Sequence, residues 1–138
     1  MPTKLLYVVE DDEDDCHVLD TIFAEFFEDC AIQFFENGAR LLTALTHCVD
    51  GRLPDLILLD LEMPVLNGFD TLRFLKGNPY LRQIPTIVLT TSNTRRSVER
   101  CYDLGSNAFM TKGTEYHQWL ALVGRLHTYW LQTARTPI

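Results

Sequence analysis

The chain has 138 residues, 46% of them hydrophobic, and a formal net charge of -7. That length supports one buried core and leaves too little chain for a comfortable second. The acidic balance argues against a binder of nucleic-acid backbone, which gathers Lys and Arg on one surface, whereas Arg95 and Arg96 form the sole adjacent basic pair here.

The opening apolar run, Leu5 to Val9, is too short for the core of a signal peptide or for a membrane span, so a soluble cytoplasmic protein without membrane insertion is expected. It reads instead as the first of five short β-type runs. The others are Ile32 to Phe35, Leu56 to Leu59, Thr86 to Leu89 and Ala108 to Thr111. Leu56-Ile57-Leu58-Leu59 and Ile87-Val88-Leu89 show no polar alternation, as expected of parallel strands covered on both faces. Between the runs the spacing turns helical. Val18, Leu19, Ile22, Phe23 and Phe26 make one stripe, and Leu41, Leu42 and Leu45 the next. A third helix runs from Asn67-Gly68 to Gly77-Asn78-Pro79. The fourth, Arg95 to Leu104, has only Val98, Cys101 and Tyr102 as main apolar residues and stops at Gly105, so it should be the least firmly docked. The last, Glu115 to Leu131, turns Tyr116, Trp119, Leu120, Val123, Leu126 and Trp130 inward, leaving Leu122 and Tyr129 partly off that face. The expectation is a single domain over residues 1–138, core about 4–131, of class α/β. It is a flavodoxin-like (βα)5 doubly wound parallel sheet with strand order 2-1-3-4-5.

In such a sheet the ligand crevice lies beyond the carboxyl ends of the strands, where strand order reverses. Glu10-Asp11 follow the first strand and Asp60 the third, so the three carboxylates should converge. Gathered carboxylates repel one another unless a cation neutralises them, and Mg2+ takes oxygen ligands of this kind. Asp12, Asp14 and Asp15 read as solvated residues or caps of a helix start. Thr90, ending the fourth strand, and Lys112, just after the fifth, supply a hydroxyl and a cation suited to a phosphoryl group in transfer. The four cysteines and four histidines show no spacing that predicts a metal site, and they read as reduced core, helix or surface residues.

Four segments carry a family resemblance: Val-Val-Glu-Asp-Asp, the stretch Pro54 to Gly68 with its Asp60, Met63, Pro64, Asn67 and Gly68, Ile-Pro-Thr-Ile-Val-Leu-Thr-Thr, and Gly-Ser-Asn-Ala-Phe-Met-Thr-Lys. Over nearly the whole chain the sequence resembles the receiver domain of two-component response regulators, and most of all the stand-alone regulators that accompany phytochrome-type sensor kinases. The resemblance implies that Asp60 is the phosphoacceptor and that Glu10, Asp11, Asp60 and the main-chain carbonyl of Glu62 hold Mg2+. It further implies that Thr90 and Lys112 contact the phosphoryl group, and that Thr90 and Phe109 form the switch. It implies a sensor histidine kinase or histidine phosphotransfer protein as donor, a further downstream protein partner, and self-phosphorylation and autodephosphorylation rather than turnover of a substrate. Leu122 and Tyr129 are candidates for a homodimer surface made by the fourth helix, fifth strand and fifth helix. Two positions depart from the family: Glu10 stands where Asp is usual, and Gly113 stands where proline is usual, so the loop after Lys112 is expected to be trans and more mobile. A phosphohydrolase with an aspartate nucleophile fits less well, because Glu62 stands where such enzymes carry a second Asp.

Overall fold

Alternation along the strands decides which helix covers which face. In a computed structural model, which describes residues 3–138, the elements are β1 (Lys4–Val9), α1 (Glu13–Phe26), β2 (Cys30–Phe35), α2 (Gly38–His47), β3 (Leu56–Leu59) and α3 (Gly68–Gly77). A 3-10 turn (Leu81–Gln83), β4 (Thr86–Thr90), α4 (Arg95–Asp103), β5 (Ala108–Thr111) and α5 (Tyr116–Leu126) complete the order, and α5 runs on into a π-helical turn, His127–Thr133. All neighbouring strands are parallel, in the order β2-β1-β3-β4-β5. Leu5, Tyr7, Val9, Ile57, Leu59 and Val88 face one side and pack with α2, α3 and α4 through Leu41, Leu45, Leu72, Leu75 and Cys101. Leu6, Val8, Leu56, Leu58, Ile87 and Leu89 face the other, against Leu19, Ile22 and Phe23 of α1 and Trp119, Val123 and Leu126 of α5. The period of two in a strand therefore builds two cores on one sheet.

Four helices start on a short polar side chain whose oxygen accepts a backbone N–H of the first turn: Asp12, Asn37, Asn67 and Thr94. The fifth uses a reciprocal pair, Glu115 with Gln118. As the sparse apolar content predicted, Cys101 is the one fully buried residue of α4. The helix is further held to α3 by the Arg100 guanidinium, 4.0 Å from the centroid of the Phe69 ring.

Leu122 is a correction. It is only 6% exposed and belongs to the second core, so it offers nothing to a homodimer surface. It lies three residues after Trp119 and four before Leu126, the spacing that places all three on one helical stripe. Tyr116, expected inward, is exposed at the first turn, while Tyr129 is 55% exposed with its ring edge-on to Trp130. Among the described residues, no helix is long and apolar enough to cross a membrane.

Leu72 is fully buried in α3, whereas Phe74 on the same helix is half exposed. Leu72→Ala is expected to lower unfolding free energy by about 2–5 kcal/mol. Phe74→Ala should change it by less than about 0.5 kcal/mol, both measured by urea denaturation.

Candidate phosphoacceptor site

The carboxyl ends of β1 and β3 lie side by side, since Val9 pairs with Leu59, and the residues that follow each are acidic. Glu10 and Asp60 are both buried and Asp11 is exposed, and these three residues present oxygens within 4.8 Å of one another. The Asp60 backbone N–H donates to the Val9 carbonyl at 3.1 Å, which locks the two strand ends together. Its Oδ1 accepts the Leu61 N–H at 2.8 Å.

From the far side of the sheet switch, the Lys112 ammonium enters this cluster. Its side chain is 6% exposed and forms ion pairs with Glu10, with Asp15 at 2.7 Å and with Asp60 at 3.4 Å. Three ammonium hydrogens thus meet three carboxylates. Burial opposes the Lys112 charge, yet its hydrogen bonds to Asp15 and Glu10, together with the Asp60 charge, hold its pKa well above the ordinary lysine value. Burial, opposed by the hydrogen bond from Lys112 and reinforced by the charge of Asp60, pushes the Glu10 carboxyl up to about 7. Its second oxygen, Oε2, accepts the N–H groups of Asp11 and Asp12 at 3.1 and 3.2 Å. With one ammonium against several carboxylates, the pocket is short of positive charge. Its donors are all hard oxygens, so the residues present fit an Mg2+-type ion.

Thr90 ends β4, fully buried; its Oγ1 accepts the Ser92 N–H at 3.4 Å and its carbonyl accepts the Lys112 N–H at 3.0 Å. Phe109, paired with Val88 across β4 and β5, is half-buried and packs on the first core. Glu62 is exposed in the loop after Asp60, and its side chain stands outside the carboxylate cluster. That loop contains a tight turn at Val65, a non-glycine residue at φ 69° whose neighbours Pro64 and Leu66 are bridged by a 2.8 Å hydrogen bond. The loop returns through Gly68, where a Cβ would stand 2.3 Å from the Asp60 carbonyl oxygen. Only glycine lets the α3 start approach the acceptor strand so closely.

Asp15 was misread from the sequence. It is not the cap, a role taken by Asp12, but a partner of Lys112. No local signal sets it apart from the other acidic residues of Glu10 to Asp15. The loop after Lys112 is also a correction. It is trans as expected, since no cis peptide bond occurs among the described residues, but it is tied down. Gln118 Oε1 accepts from Thr114 N at 2.9 Å, Thr114 Oγ1 at 3.0 Å and Glu115 N at 3.2 Å. A Cβ on Gly113 would lie 2.8 Å from Gln118 Cβ and 3.1 Å from Trp119 N, so glycine here is what lets the loop close onto α5.

These features together define a receiver domain. The chain belongs to the response regulator receiver domain family, which it matches over residues 6–123. It is 30% identical to the response regulator Rcp1 of Synechocystis, over 99% of this chain and 95% of that protein. The structure of the phosphorylated cyanobacterial phytochrome response regulator RcpA matches with a TM-score of 0.91 at 30% identity, covering 98% of this chain and 99% of that one. The Mn2+-bound form of Rcp1 matches at 0.88 and 29%, over 98% and 99% of the two chains. The chain's role is accordingly that of a response regulator in phosphorelay signalling.

Gly113→Ala must displace Gln118 or the α5 backbone, and such overpacking costs about 1–3 kcal/mol. The variant is expected to unfold at lower temperature and, with Lys112 less well aimed, to take up a phosphoryl group more slowly. Calorimetry and a phosphorylation time course check the two effects.

Proposed function

We propose that this chain is a single-domain response regulator in which Asp60 is the phosphoacceptor. The observation that carries the reading is the buried Lys112 ammonium shared among Glu10, Asp15 and Asp60 at the end of the sheet. In the reaction an Asp60 carboxylate oxygen attacks the phosphorus of a phosphohistidine on a sensor histidine kinase or phosphotransfer protein. The O–P bond forms as the P–N bond breaks, and the departing imidazole takes up a proton. Lys112, already 3.4 Å from Asp60, neutralises charge on the transferring oxygens. Glu10, Asp11, Asp60 and the Glu62 carbonyl are the residues that would hold Mg2+, which when bound supplies further neutralisation of phosphoryl charge. The product is an acyl phosphate on Asp60.

The added charge then draws the Thr90 hydroxyl toward the site, and Phe109, beside Val88 in the first core, follows into the space released. Cys101 of α4 lies in that same core, so the surface of α4, β5 and α5 changes and a downstream partner reads it. A homodimer on this face would use Tyr129 without Leu122. The protein acts in the cytoplasm, where its kinase partner presents phosphohistidine, and its chemistry is limited to its own phosphorylation and dephosphorylation.

Incubation with Mg2+ and a small phosphodonor is expected to add one phosphoryl mass to the intact protein. Asp60→Asn should abolish the gain, whereas Asp55→Asn should retain it, because Asp55 serves Leu5 and Arg52 rather than this pocket. A mass gain that persists in Asp60→Asn would overturn the assignment. Metal affinity should also depend on pH. The Glu10 carboxyl titrates at about 7 and must lose its proton to favour a dication, so affinity is constant well above pH 7 and falls about tenfold per unit below it. Glu10→Gln should flatten that profile in isothermal titration.

A further inference from the structure

Two groups of three metal-donor side chains come together among the described residues, and their chemistry differs. Glu10, Asp11 and Asp60 offer only oxygens. The second group, Asp29, Cys30 and His127, offers oxygen, sulfur and nitrogen, also within 4.8 Å of one another. It lies at the opposite end of the sheet from Asp60. Asp29 immediately precedes β2 and Cys30 begins it, while His127 opens the π-helical turn that follows α5. Their separation of 98 residues along the chain is why spacing alone predicted no metal site.

The group is built rather than scattered over the surface. The His127 side chain is 8% exposed, and its Nε2 lies 3.0 and 2.9 Å from the two carboxylate oxygens of Asp29. A single ring nitrogen carries at most one hydrogen and cannot give both oxygens a linear hydrogen bond. The nitrogen therefore faces the middle of the carboxylate, with the Cys30 thiol alongside. The surroundings hold these groups in place. The Phe27 ring packs against the imidazole with centroids 4.4 Å apart, and the Asp29 carbonyl accepts the N–H groups of Thr3 and Lys4 at 3.0 and 2.9 Å.

We infer that Asp29, Cys30 and His127 form a second site, for a zinc-type divalent transition ion, with the Cys30 sulfur, His127 Nε2 and one Asp29 oxygen as ligands and water in the fourth position. A thiolate and an imidazole select such an ion over Mg2+ or Ca2+, which prefer oxygen alone. In a tetrahedral site with bonds of about 2.0–2.3 Å, neighbouring ligand atoms stand about 3.3–3.7 Å apart, so His127 Nε2 and the Asp29 oxygen must part by about 0.4 Å from their 2.9 Å contact to admit the ion. The proton count is simple. The Cys30 S–H bond breaks as the sulfur–metal bond forms, the proton passes to solvent, and His127 binds as the neutral ring with its hydrogen on Nδ1. The bound ion would join the start of β2 to the end of α5 and strengthen the fold far from Asp60.

The test is titration of the full-length chain with Co2+, in the presence of excess Mg2+ to occupy the all-oxygen site. Sulfur ligation to cobalt is read from its near-ultraviolet charge-transfer band. One equivalent of Co2+ should produce the band, and Zn2+ should displace it and raise the melting temperature. Cys30→Ser, a near-isosteric change, should abolish the band and weaken Zn2+ binding by more than about tenfold. Cys16→Ser should keep the band, which matters because the Cys16 thiol lies beside the Glu10 carbonyl near the other site. His127→Gln should weaken binding as Cys30→Ser does. Absence of the band in the wild-type protein, or its persistence in Cys30→Ser, would overturn the inference.

Discussion

The Lys112 ammonium is the interaction on which the rest of the site depends. Three carboxylates from three different elements approach it: Glu10 beyond β1, Asp15 on α1 and Asp60 beyond β3. Each would be costly to bury ionised and alone, by several kcal/mol. Their shared cation lets β1, α1, β3 and the loop after β5 meet at one point. The same arrangement leaves negative charge in excess, which keeps the pocket receptive to a dication and pushes the Glu10 proton affinity toward neutrality. Structural cohesion and chemical readiness arise here from one imbalance of charge.

Those parts of the molecule governed by local periodicity were legible in the sequence. The runs Leu56 to Leu59 and Thr86 to Leu89 have no polar alternation because helices cover both faces of their strands, and the two cores bear this out. Strand-end positions could be read just as directly. A doubly wound sheet brings the residues after β1 and β3 together, so their strand-end positions alone group Glu10, Asp11 and Asp60. The thin apolar face of α4 was visible too, and Cys101 is its one fully buried residue.

Contacts set by tertiary approach rather than pattern were not legible. Asp15 sits in a run of six acidic residues, Glu10 to Asp15, and nothing local marks it as one that meets a lysine 97 positions away. Gly113 suggested freedom, whereas the structure uses its missing side chain for proximity to Gln118 and Trp119. Leu122 failed for a subtler reason. A helix against a twisted sheet buries a stripe wider than the one drawn from its most regular residues, and Leu122 lies within that margin.

The division of the core by the sheet has a consequence for how variation is tolerated. Phe109 and Cys101 share the core beneath α2, α3 and α4, while α1 and α5 rest on the other side with Trp119, Val123 and Leu126. On the proposed switch role, a rotation of Phe109 would act first on packing in the compartment beneath α4. Substitutions near Phe109 would then bear on the proposed switch as well as on stability, whereas those at Leu19, Ile22 and Phe23 beneath α1 would bear on stability alone. A single layer of backbone thus separates the core that the proposed switch would use from the one that anchors α1.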